Sequence, residues 1–397
     1  MKILIVSNYL YPETGAASNR ITQMAEALSK NFEVSVVTAL PNYPTGKVFL
    51  EYKGRFFMKE KIKNFDVRRY RTYNSNSKNA IKRMASMLSL GFMMLFEIKY
   101  LVRERYDIVI VQNSPLLVSS FAILYTKMFS NSKIVLNVSD LWPLSALELG
   151  AIKKGRFYNF LERIEKFNYT RSGLIIGQSN EIIGYVKNLA QTKQFFLYRN
   201  IPRIDENTKK KHAKNKPVRI VYAGLLGVAQ GVLDVCKKIN FKELDVEFHI
   251  YGMGNELNNI LKYLNYSDCN IYYKGSVSSN EIKNVLVEYD FSIVPLKNRI
   301  YGAVPSKIFE LTLLNIPIIF CGGGEGAQIV RKHKIGFVSD PGDYQKLEEN
   351  IYTAVNLSDK KYKELVDNCC KAANVKFDFS NQMEEFVEKL TLFSSKD

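Results

Sequence analysis

The sequence predicts an α/β protein of two domains, each built on a mostly parallel sheet with helices on both faces. At 397 residues the chain is longer than a usual single domain. Short strand-like runs alternate with helical segments from end to end, as in doubly wound folds. Most of these runs are continuously apolar, which is typical of parallel strands buried on both faces.

The strand-like runs fall into two series separated by a charged segment. The first series comprises Lys2–Ser7, Glu33–Thr38, Asp107–Gln112, Lys133–Val138 and Gly173–Gln178. The second comprises Val218–Ala223, Val246–Tyr251, Asn270–Tyr273, Phe291–Pro295 and Ile316–Phe320. Between them, residues 203–216 are dense in charge and poor in apolar side chains, which predicts an exposed linker.

These patterns give the domain boundaries. We expect an N-terminal Rossmann-like domain over residues 1–202, the linker over 203–216, and a C-terminal Rossmann-like domain over 217–375. A final helix over 376–397 is expected to pack back toward the N-terminal domain. Ligands of open α/β sheets bind beyond the carboxyl ends of the strands, so two such domains facing each other predict a ligand cleft between them.

The composition is that of a soluble globular protein, with 46% hydrophobic and 24% charged residues. The five cysteines lack metal-ligand spacing and are expected to be buried free thiols in a reducing compartment, and the three histidines form no cluster. The N-terminus has no signal-peptide cleavage site. The uncharged run Met84–Phe96 has 13 residues and is too short to span a bilayer.

The net charge of +17 is unevenly distributed and calls for an anionic partner. Residues Lys47–Arg83 contain 12 Lys/Arg and 3 Asp/Glu, and the uncharged run Met84–Phe96 follows at once. This order favours docking on an anionic membrane. Arginines alternate with aromatic residues over 68–73, so binding of single-stranded nucleic acid stays open. A solvated face followed by a core helix is the plainer alternative.

The segment Tyr301–Phe320 carries the most specific signal. A loop leads into a helix through Ser306 and Lys307, and Glu310 lies one helical turn further on. A helix N-terminus with a hydroxyl donor and a mobile positive charge suits a phosphate, and a carboxylate can accept hydrogen bonds from both ribose hydroxyls. The segment therefore predicts a nucleotide diphosphate site. An ordinary loop, helix and strand with solvated polar side chains is the alternative.

Three further loops are rich in small residues. After the first strand, Gly15 allows close approach of a ligand to the backbone, and Arg20 in the following helix is expected to reach an anion. The loop 223–231 after strand Val218–Ala223 is the counterpart in the second domain, with Gly224, Gly227 and Gln230 as candidate donor ligands. Gly252 and Gly254 close the next strand and are further candidate donor-binding residues, near which a base is expected to be held. Turn formation is the alternative for each glycine.

In sequence, the chain resembles family 4 glycosyltransferases of the GT-B fold, and within them the bacterial capsule and O-antigen transferases that handle sugars such as N-acetyl-L-fucosamine. Seven stretches carry the resemblance, in the order expected and over nearly the whole chain. They are NYLYPETGAASNR, VVTALPNYPTGKV, NSPLLVSS, SDLWPLSALELG, YAGLLGVAQG, YGMGNE and VPSKIFELTLLNIPII.

The resemblance implies a two-domain GT-B architecture and metal-independent transfer of the sugar from a UDP-sugar with retention at the anomeric carbon. The UDP-sugar is a co-substrate, and no cofactor is implied. The acceptor would be a polyprenyl-diphosphate-linked glycan, so the enzyme would be cytoplasmic and peripheral on the inner face of the plasma membrane. It would then dock there through the basic segment Lys47–Arg83 and the apolar run Met84–Phe96. Nucleic acid would not be a partner.

The resemblance also implies residue roles. Glu310 matches the second acid of the family's E-x7-E element and would contact the ribose, whereas the first acid is replaced by Gly302. Leu225 and Gln230 stand where the common pattern has Arg and Lys on the diphosphate. We expect Lys307 to take over that charge, helped by Ser306, by the amides near Gly227 and by Arg20, because the leaving diphosphate gains negative charge.

The acceptor side is expected at two strand ends of the first domain. Asp140 is assigned to acceptor binding or proton handling, with a helix N-cap as the alternative. Asn113 and Ser114 are expected to face the acceptor. In the second domain, Glu325 is expected to meet the donor sugar, and a solvated helix start is its alternative. Asp140, Lys307 and Glu310 are the candidate catalytic residues.

Two rival functions predict different behaviour. A nucleotide-sugar epimerase on the same fold would turn over a UDP-sugar without any acceptor. A basic nucleic-acid-binding module would bind oligonucleotides in a salt-dependent way and would leave the two glycine-rich loops unexplained.

Overall fold

A computed structural model describes residues 1–43, 45–73, 88–191, 193–204, 208, 214–266, 269–278 and 281–395 of the protein. The chain divides into two compact units, Met1–Asn200 with Ser380–Asp397, and Ile201–Phe379. Each unit has its own sheet of predominantly parallel strands with helices between them. The predicted α/β class with two Rossmann-like domains is confirmed.

The first unit contains eight described strands, and the C-terminal helix belongs to it as well. The strands are β1 (Lys2–Val6), β2 (Glu33–Ala39), β3 (Phe57–Ile62), β4 (Phe65–Tyr70), β5 (Ile108–Gln112), β6 (Lys133–Val138), β7 (Leu174–Gly177) and β8 (Gln194–Leu197). The helices before the second unit are α1 (Ala16–Leu28), α2 (Ile98–Glu104), α3 (Leu116–Phe129), α4 (Leu144–Glu148), α5 (Arg156–Arg171) and α6 (Asn180–Leu189).

The second unit contains six described strands, and the chain then returns to the first unit through its last helix. The strands are β9 (Val218–Ala223), β10 (Val246–Tyr251), β11 (Ile271–Tyr273), β12 (Phe291–Pro295), β13 (Ile318–Cys321) and β14 (Gly336–Ser339). The remaining helices are α7 (Val232–Lys238), α8 (Leu257–Asn265), α9 (Ile282–Leu286), α10 (Ser306–Leu313), α11 (Gly324–His333), α12 (Tyr344–Val355), α13 (Asp359–Lys376) and α14 (Phe379–Ser395).

Strand order places one switch point in each sheet. In the first unit the order is β3-β4-β2-β1-β5-β6-β7-β8, and only the β3–β4 pair is antiparallel. In the second unit the order is β11-β10-β9-β12-β13-β14, and every pair is parallel. The chain reverses direction across the sheet between β1 and β5, and between β9 and β12. Ligands of such sheets bind beyond the carboxyl ends of these strand pairs.

All ten predicted strands are present, with ends shifted by at most two residues, but four more strands exist. The unpredicted strands are β3, β4, β8 and β14. Strand β4 has the sequence FDVRRY, and its two arginines hide the apolar pattern of a buried strand. Strand β8 is short, and β14 is also short and begins at a glycine, so neither gives a strong signal.

Part of the basic segment 47–83 is interior, which corrects the expectation that it forms one exposed surface. Arg68 and Arg69 are buried at 6% and 0% exposure, as is Tyr70. The Arg68 guanidinium pairs with Glu97 at 2.9 Å, and Arg69 pairs with Glu60. At Arg68, Arg69 and Tyr70 the alternation therefore serves packing and provides no accessible nucleic-acid surface, whereas Arg71 and Tyr73 are exposed.

The rest of that segment is described only in part. Residues 74–83, and residues 84–87 of the run Met84–Phe96, lie outside the described residues. In the described part of the run, Phe92, Leu95 and Phe96 are about half exposed. No helix in the described ranges is both long and apolar enough to cross a membrane.

The C-terminal helix α14 packs within the first unit. The ring of Phe386 lies 5.3 Å from that of Phe196 on β8, and the amide of Gln382 bonds both backbone groups of Arg199. Of the expected linker, residues 205–207 and 209–213 lie outside the described residues. At its far end, Lys214 already donates to the carbonyls of Val355 and Leu357 in the second unit.

The buried Arg68–Glu97 pair gives the first prediction. Arg68→Met leaves the Glu97 carboxylate buried without its cation and should lower the free energy of unfolding by about 3 kcal/mol. The matched control is Arg71→Met, whose side chain is exposed and which should change it by less than about 0.5 kcal/mol. Urea denaturation followed by circular dichroism measures both. Equal effects of the two variants would contradict the buried role of Arg68.

Candidate functional site

The loops after β9 and β10 pack against each other through their backbones. The Gly224 amide donates to the Tyr251 carbonyl at 3.0 Å, and the Leu226 amide donates to Met253 at 2.9 Å. A Cβ on Gly252 would lie 1.8 Å from the carbonyl oxygen of Gly224. A Cβ on Gly254 would lie 2.3 Å from that of Leu226. These two glycines are thus required for loop packing, and their expected role in donor binding stays a prediction.

Lys307 lies over the first of these loops, across the switch point between β9 and β12. A Cβ on Gly224 would lie 2.8 Å from Cε and 3.6 Å from Nζ of Lys307. The Lys307 ammonium also pairs with Glu310 at 3.6 Å, and both side chains remain partly exposed. The structure therefore brings together the glycine-rich loop, the positive charge and the carboxylate that the sequence singled out.

Helix α10 begins at Ser306, as expected from the sequence, with Pro305 in the N-cap position and no side-chain cap. Its first amides are therefore available at the same edge of the sheet as Lys307. The helix ends before Asn315, which has a left-handed backbone (φ 59°), a conformation that asparagine tolerates. Strand β13 then starts at Ile318, so the loop, helix and strand predicted for this segment are present.

The rest of the loop after β9 is neutral. The side chain of Leu225 is 58% exposed. The Gln230 side chain folds back, because a Cβ on Gly227 would lie 2.6 Å from its Oε1. Gln230 and Gly227 therefore contact each other. Their expected role as donor ligands stays a prediction.

Two cations that were not predicted from the sequence lie beside this loop and the loop after β13. The Lys297 amide donates to Ala229 at 3.0 Å, and a Cβ on Gly231 would lie 2.8 Å from Lys297 Cγ. A Cβ on Gly323 would lie 3.3 Å from Cδ of Arg299. The side chains of Lys297, Arg299 and Lys307 thus each lie against a glycine, and all three residues come from the segment 297–307. The signal in the sequence was the basic character of KNR before the helix.

Lys297 is held by an ion pair. Its ammonium lies 2.7 Å from Asp234 on α7, and this hydrogen bond raises the pKa of Lys297. Burial works against ionisation of Asp234, but the hydrogen bond and charge of Lys297 hold the pKa of that carboxyl below its usual value. Both groups are therefore charged at neutral pH, and Lys297 adds a fixed cation beside the loop.

Glu325 lies in the first turn of α11 and is 4% exposed. The alternative of a solvated helix start is therefore wrong for this residue. The helix begins after Gly322 and Gly323, at the carboxyl end of β13, so Glu325 shares the strand-end edge with Lys307. Contact with a donor sugar stays a prediction.

In the first unit, Arg20 is interior rather than directed to solvent. It is 4% exposed, and its guanidinium donates to three amide oxygens, those of Gln112, Asn137 and Gln178, at 3.1–3.3 Å. Its Nε has no partner among the described residues. Burial lowers the pKa of Arg20 to about 10. This position does not support the expected anion contact and instead makes Arg20 the centre of a polar network.

That network supports the loop after β6. The amide of Gln112 donates to the Ser139 hydroxyl at 2.7 Å, and the amide of Gln178 donates to the Ser139 carbonyl. Gly15, the N-cap of α1, lies against the ring of Tyr43. A Cβ on Gly15 would lie 3.4 Å from that ring. The strand-end loops of the first unit are thus fixed by buried polar groups and glycine contacts.

Asp140 follows directly on this fixed loop. Its carboxylate accepts a hydrogen bond from Ser145 at 2.9 Å, and burial raises its pKa. The N-cap of the next helix, α4, is Pro143, so the alternative of an N-cap is wrong for Asp140. A half-buried carboxylate with a raised pKa at a strand end suits proton handling.

A second acid near Asp140 was missed. Glu165 on α5 is 1% exposed and accepts hydrogen bonds from Tyr169 and Tyr185 at 2.7 and 3.4 Å. Burial, with the charge of Asp140 among the smaller causes, raises the pKa of Glu165 to about 7. In the sequence, Glu165 is one of two acids in an ordinary amphipathic helix, so only the fold distinguishes it.

Asn113 and Ser114 follow β5 directly but differ in placement. The Asn113 side chain is 2% exposed and accepts hydrogen bonds from Ser119 and Asn168 at 3.4 and 3.3 Å. That interior position does not support the expected acceptor contact of Asn113. Ser114 is partly exposed beside the start of α3, where an acceptor contact stays a prediction. Within the described ranges, no group of three His, Cys, Asp or Glu side chains is arranged to hold a metal ion.

The loop contacts give a second prediction. Gly252→Ala forces a methyl group onto the Gly224 carbonyl at a backbone φ of 138° and should lower the free energy of unfolding by about 3 kcal/mol or more. The control is Gly184→Ala in α6, where a Cβ would meet nothing within 4 Å. This substitution should raise the free energy of unfolding by about 0.5–1 kcal/mol, because alanine favours the helix more than glycine does. Thermal unfolding measures both. A fully stable Gly252→Ala variant would contradict the packing.

Comparison with known proteins agrees with this geometry. Residues 217–356 match the family described as Glycosyl transferases group 1. No curated protein matches the chain in sequence.

The chain is similar in structure to a sucrose-phosphate synthase from Thermosynechococcus elongatus (TM-score 0.74, 12% identity, 100% of both chains). It is also similar to a trehalose-6-phosphate protein from E. coli bound with UDP-2-fluoro glucose (TM-score 0.71, 13% identity, 100% of both chains). A third similar structure is WaaG, a glycosyltransferase involved in lipopolysaccharide biosynthesis (TM-score 0.67, 13% identity, 98% of this chain and 99% of that one). The chain thus has the GT-B fold, and its second unit carries the group 1 glycosyltransferase match.

Proposed function

We propose that the protein is a glycosyltransferase that moves a sugar from a UDP-sugar to a lipid-linked glycan. The observation that carries this proposal is the position of Lys307 over Gly224, across the switch point of the second sheet. Ligands of open α/β sheets bind at this edge, and Lys307 places a positive charge there.

The diphosphate is the chemical group that best fits this edge. Lys307, the hydroxyl of Ser306 and the first amides of α10 are donors for an anion. As the glycosidic bond breaks, negative charge grows on the leaving diphosphate, and fixed donors lower the barrier by stabilising it. The ion-paired Lys297 and the stem of Arg299 place further positive charge at the neighbouring glycines.

Glu310 is the proposed ribose ligand. It lies on α10 one turn after Ser306, is partly exposed, and its contact with Lys307 at 3.6 Å leaves acceptor capacity on the carboxylate. UDP is proposed as the nucleotide because similar structures are described in complex with UDP, such as HepE of Anabaena. The sugar proposed from the sequence resemblance is an N-acetylated deoxy-amino sugar such as N-acetyl-L-fucosamine.

We propose that transfer proceeds with retention and without a metal ion, in the synthesis of capsule or O-antigen polysaccharide. The Lys307 charge provides the leaving-group stabilisation that a metal would otherwise supply. Asp140 is proposed to bind the acceptor or handle its proton, supported by its fixed loop and raised pKa. Glu325 is proposed to contact the donor sugar.

The acceptor is proposed to be a polyprenyl-diphosphate-linked glycan, so the protein would work on the inner face of the plasma membrane. Docking is assigned to the exposed cations of Lys47–Arg83 and to the exposed apolar side chains of Met84–Phe96. Of these, Phe92, Leu95 and Phe96 are about half exposed. The buried residues Arg68 and Arg69 take no part in it.

The donor is tested by ligand-induced stabilisation. A thermal-shift screen with UDP, GDP and CMP should show the largest increase in Tm with UDP. Candidate UDP-sugars are then tested for turnover with and without a lipid-linked acceptor, and proton NMR of the product gives the anomeric configuration. Turnover of the UDP-sugar to an epimer without acceptor would contradict the proposal, as would stabilisation by none of the nucleotides.

The charge of Lys307 gives the third prediction. Lys307→Ala should lower kcat by about 100-fold or more, because the leaving diphosphate loses a fixed cation. The matched control is Lys332→Ala, an exposed lysine on α11 that should leave kcat unchanged. Circular dichroism checks that both variants fold. Turnover of Lys307→Ala within a few-fold of the unmodified protein would contradict the assignment.

The Asp140 carboxyl gives the fourth prediction. If its ionised form takes the acceptor proton, kcat/KM falls as pH drops through its pKa, which burial places above that of an ordinary aspartate. Asp140→Asn should lower kcat/KM and remove this acidic limb, whereas Asp343→Asn, an N-cap of α12, should preserve it. A pH profile of Asp140→Asn that keeps the limb would exclude Asp140 as the titrating group.

A further inference from the structure

Helices α3 and α5 form an apolar groove on one face of the first sheet. They follow β5 and β6 in crossovers that progress in the same direction, so they cover the same face. The groove has a volume of about 270 Å³. Five of its seven lining side chains are apolar, and the lining residues are Leu117, Ser120, Phe121, Leu124, Arg163, Ile164 and Phe167.

Exposed apolar side chains continue the groove in both directions. Met128 on α3 is 62% exposed, and Phe157 and Phe160 on α5 are 53% and 54% exposed. On the other side, the ring of Phe92 lies 5.4 Å from that of Phe121, so the groove is continuous with the exposed part of the run Met84–Phe96. A contiguous apolar surface of this kind on a charged protein marks a binding surface.

Three cations lie at the edge of the sheet where α3 and α5 end. Lys127 lies in the last turn of α3 and Arg171 in the last turn of α5, and the Arg171 guanidinium lies 5.8 Å from the ring of Phe167. Lys193 precedes β8. Burial and then the charges of Lys127 and Arg171 lower the pKa of Lys193. Within the described ranges, none of the three forms an ion pair with a carboxylate.

Helix C-termini attract cations, which accounts for Lys127 and Arg171 taken singly. Lys193 lies outside both helices, at the amino end of β8, so a third cation lies at this edge of the sheet. An anion bound there would be attracted by all three charges. The apolar groove suits an alkyl chain, and the nearby cations suit an anionic head group, so the two features together fit a molecule that has both.

We propose that the α3–α5 groove binds an acyl chain of an anionic phospholipid of the bilayer, whose phosphate is held by Lys127, Arg171 and Lys193. The inference rests on the peripheral membrane location in the proposed function and adds a defined lipid site to it. The cations lie at the amino ends of the strands, the edge opposite Asp140. The bound phosphate is thus distinct from the reacting end of an acceptor. A second copy of this chain is disfavoured, because its net charge of +17 and its own cation cluster would be brought to the same surface.

Vesicle flotation tests the site. Vesicles of phosphatidylglycerol and phosphatidylcholine in equal parts should bind the protein, and the double variant Lys127→Gln/Arg171→Gln should bind about 30-fold more weakly. Phe160→Ser should also weaken binding. The matched controls are Lys360→Gln/Lys363→Gln and Tyr352→Ser, exposed positions in the second unit that should leave vesicle binding unchanged. Unchanged vesicle binding by both groove variants would overturn the proposal.

Occupancy of the groove itself is tested by fluorescence quenching. Leu124→Trp should be quenched by phosphatidylglycerol brominated in the acyl chain, after subtraction of the signal of the single native tryptophan, whereas Tyr352→Trp should not be. Absence of quenching at Leu124→Trp in bound protein would overturn the acyl-chain site.

The results of these experiments distinguish the groove from the basic docking surface of Lys47–Arg83. If Lys59→Gln/Lys61→Gln abolishes vesicle binding and the groove variants do not, the groove proposal fails and the first docking surface stands. A dimer that Phe160→Ser dissociates, without vesicle binding, would assign the groove to a second copy instead. UDP-sugar turnover on a soluble acceptor should be unchanged in every groove variant, so its loss would indicate a damaged fold rather than a lipid role.

Discussion

Close backbone contact between the loops after β9 and β10 is the constraint on which the candidate site depends. Gly252 lies against the Gly224 carbonyl, at a distance that leaves no room for a side chain. This contact fixes the position of the β9 loop at the switch point. Gly224 in turn has no Cβ, so the stem of Lys307 can lie directly over its backbone. The glycines of this unit therefore serve packing first, and through packing they place a positive charge where a ligand of the sheet is expected.

Positively charged side chains have different surroundings in the two units. In the second unit, Lys297, Arg299 and Lys307 come from one connection and lie over glycines of two loops, those after β9 and β13. In the first unit, Arg20 is buried among amide oxygens and stabilises the loop that precedes Asp140. In the proposed reaction, a negatively charged donor and an acceptor that loses a proton need these two kinds of environment. The apolar groove between α3 and α5, proposed to bind lipid, adds a surface that is distinct from both.

Sequence periodicity was sufficient to predict the centre of each sheet, because strands such as β1 and β9 are continuously apolar. It failed at β4, where Arg68 and Arg69 are neutralised by partners that lie 29 and 9 residues away in the chain. For the site, the local motif at Ser306–Glu310 was enough to find Lys307 and Glu310. The interior position of Arg20, the burial of Asn113 and the roles of Lys297 and Glu165 depend on contacts between distant segments, which a local pattern does not contain.

The central claim is that Lys307 holds the diphosphate of the donor. Isothermal titration of uridine, UMP and UDP measures it most directly, because the difference in affinity between UDP and uridine isolates the phosphate contribution. The account predicts that Lys307→Ala weakens UDP about tenfold or more, leaves uridine unchanged and reduces the salt dependence of UDP binding. Equal affinities of the unmodified protein and Lys307→Ala for UDP would contradict it.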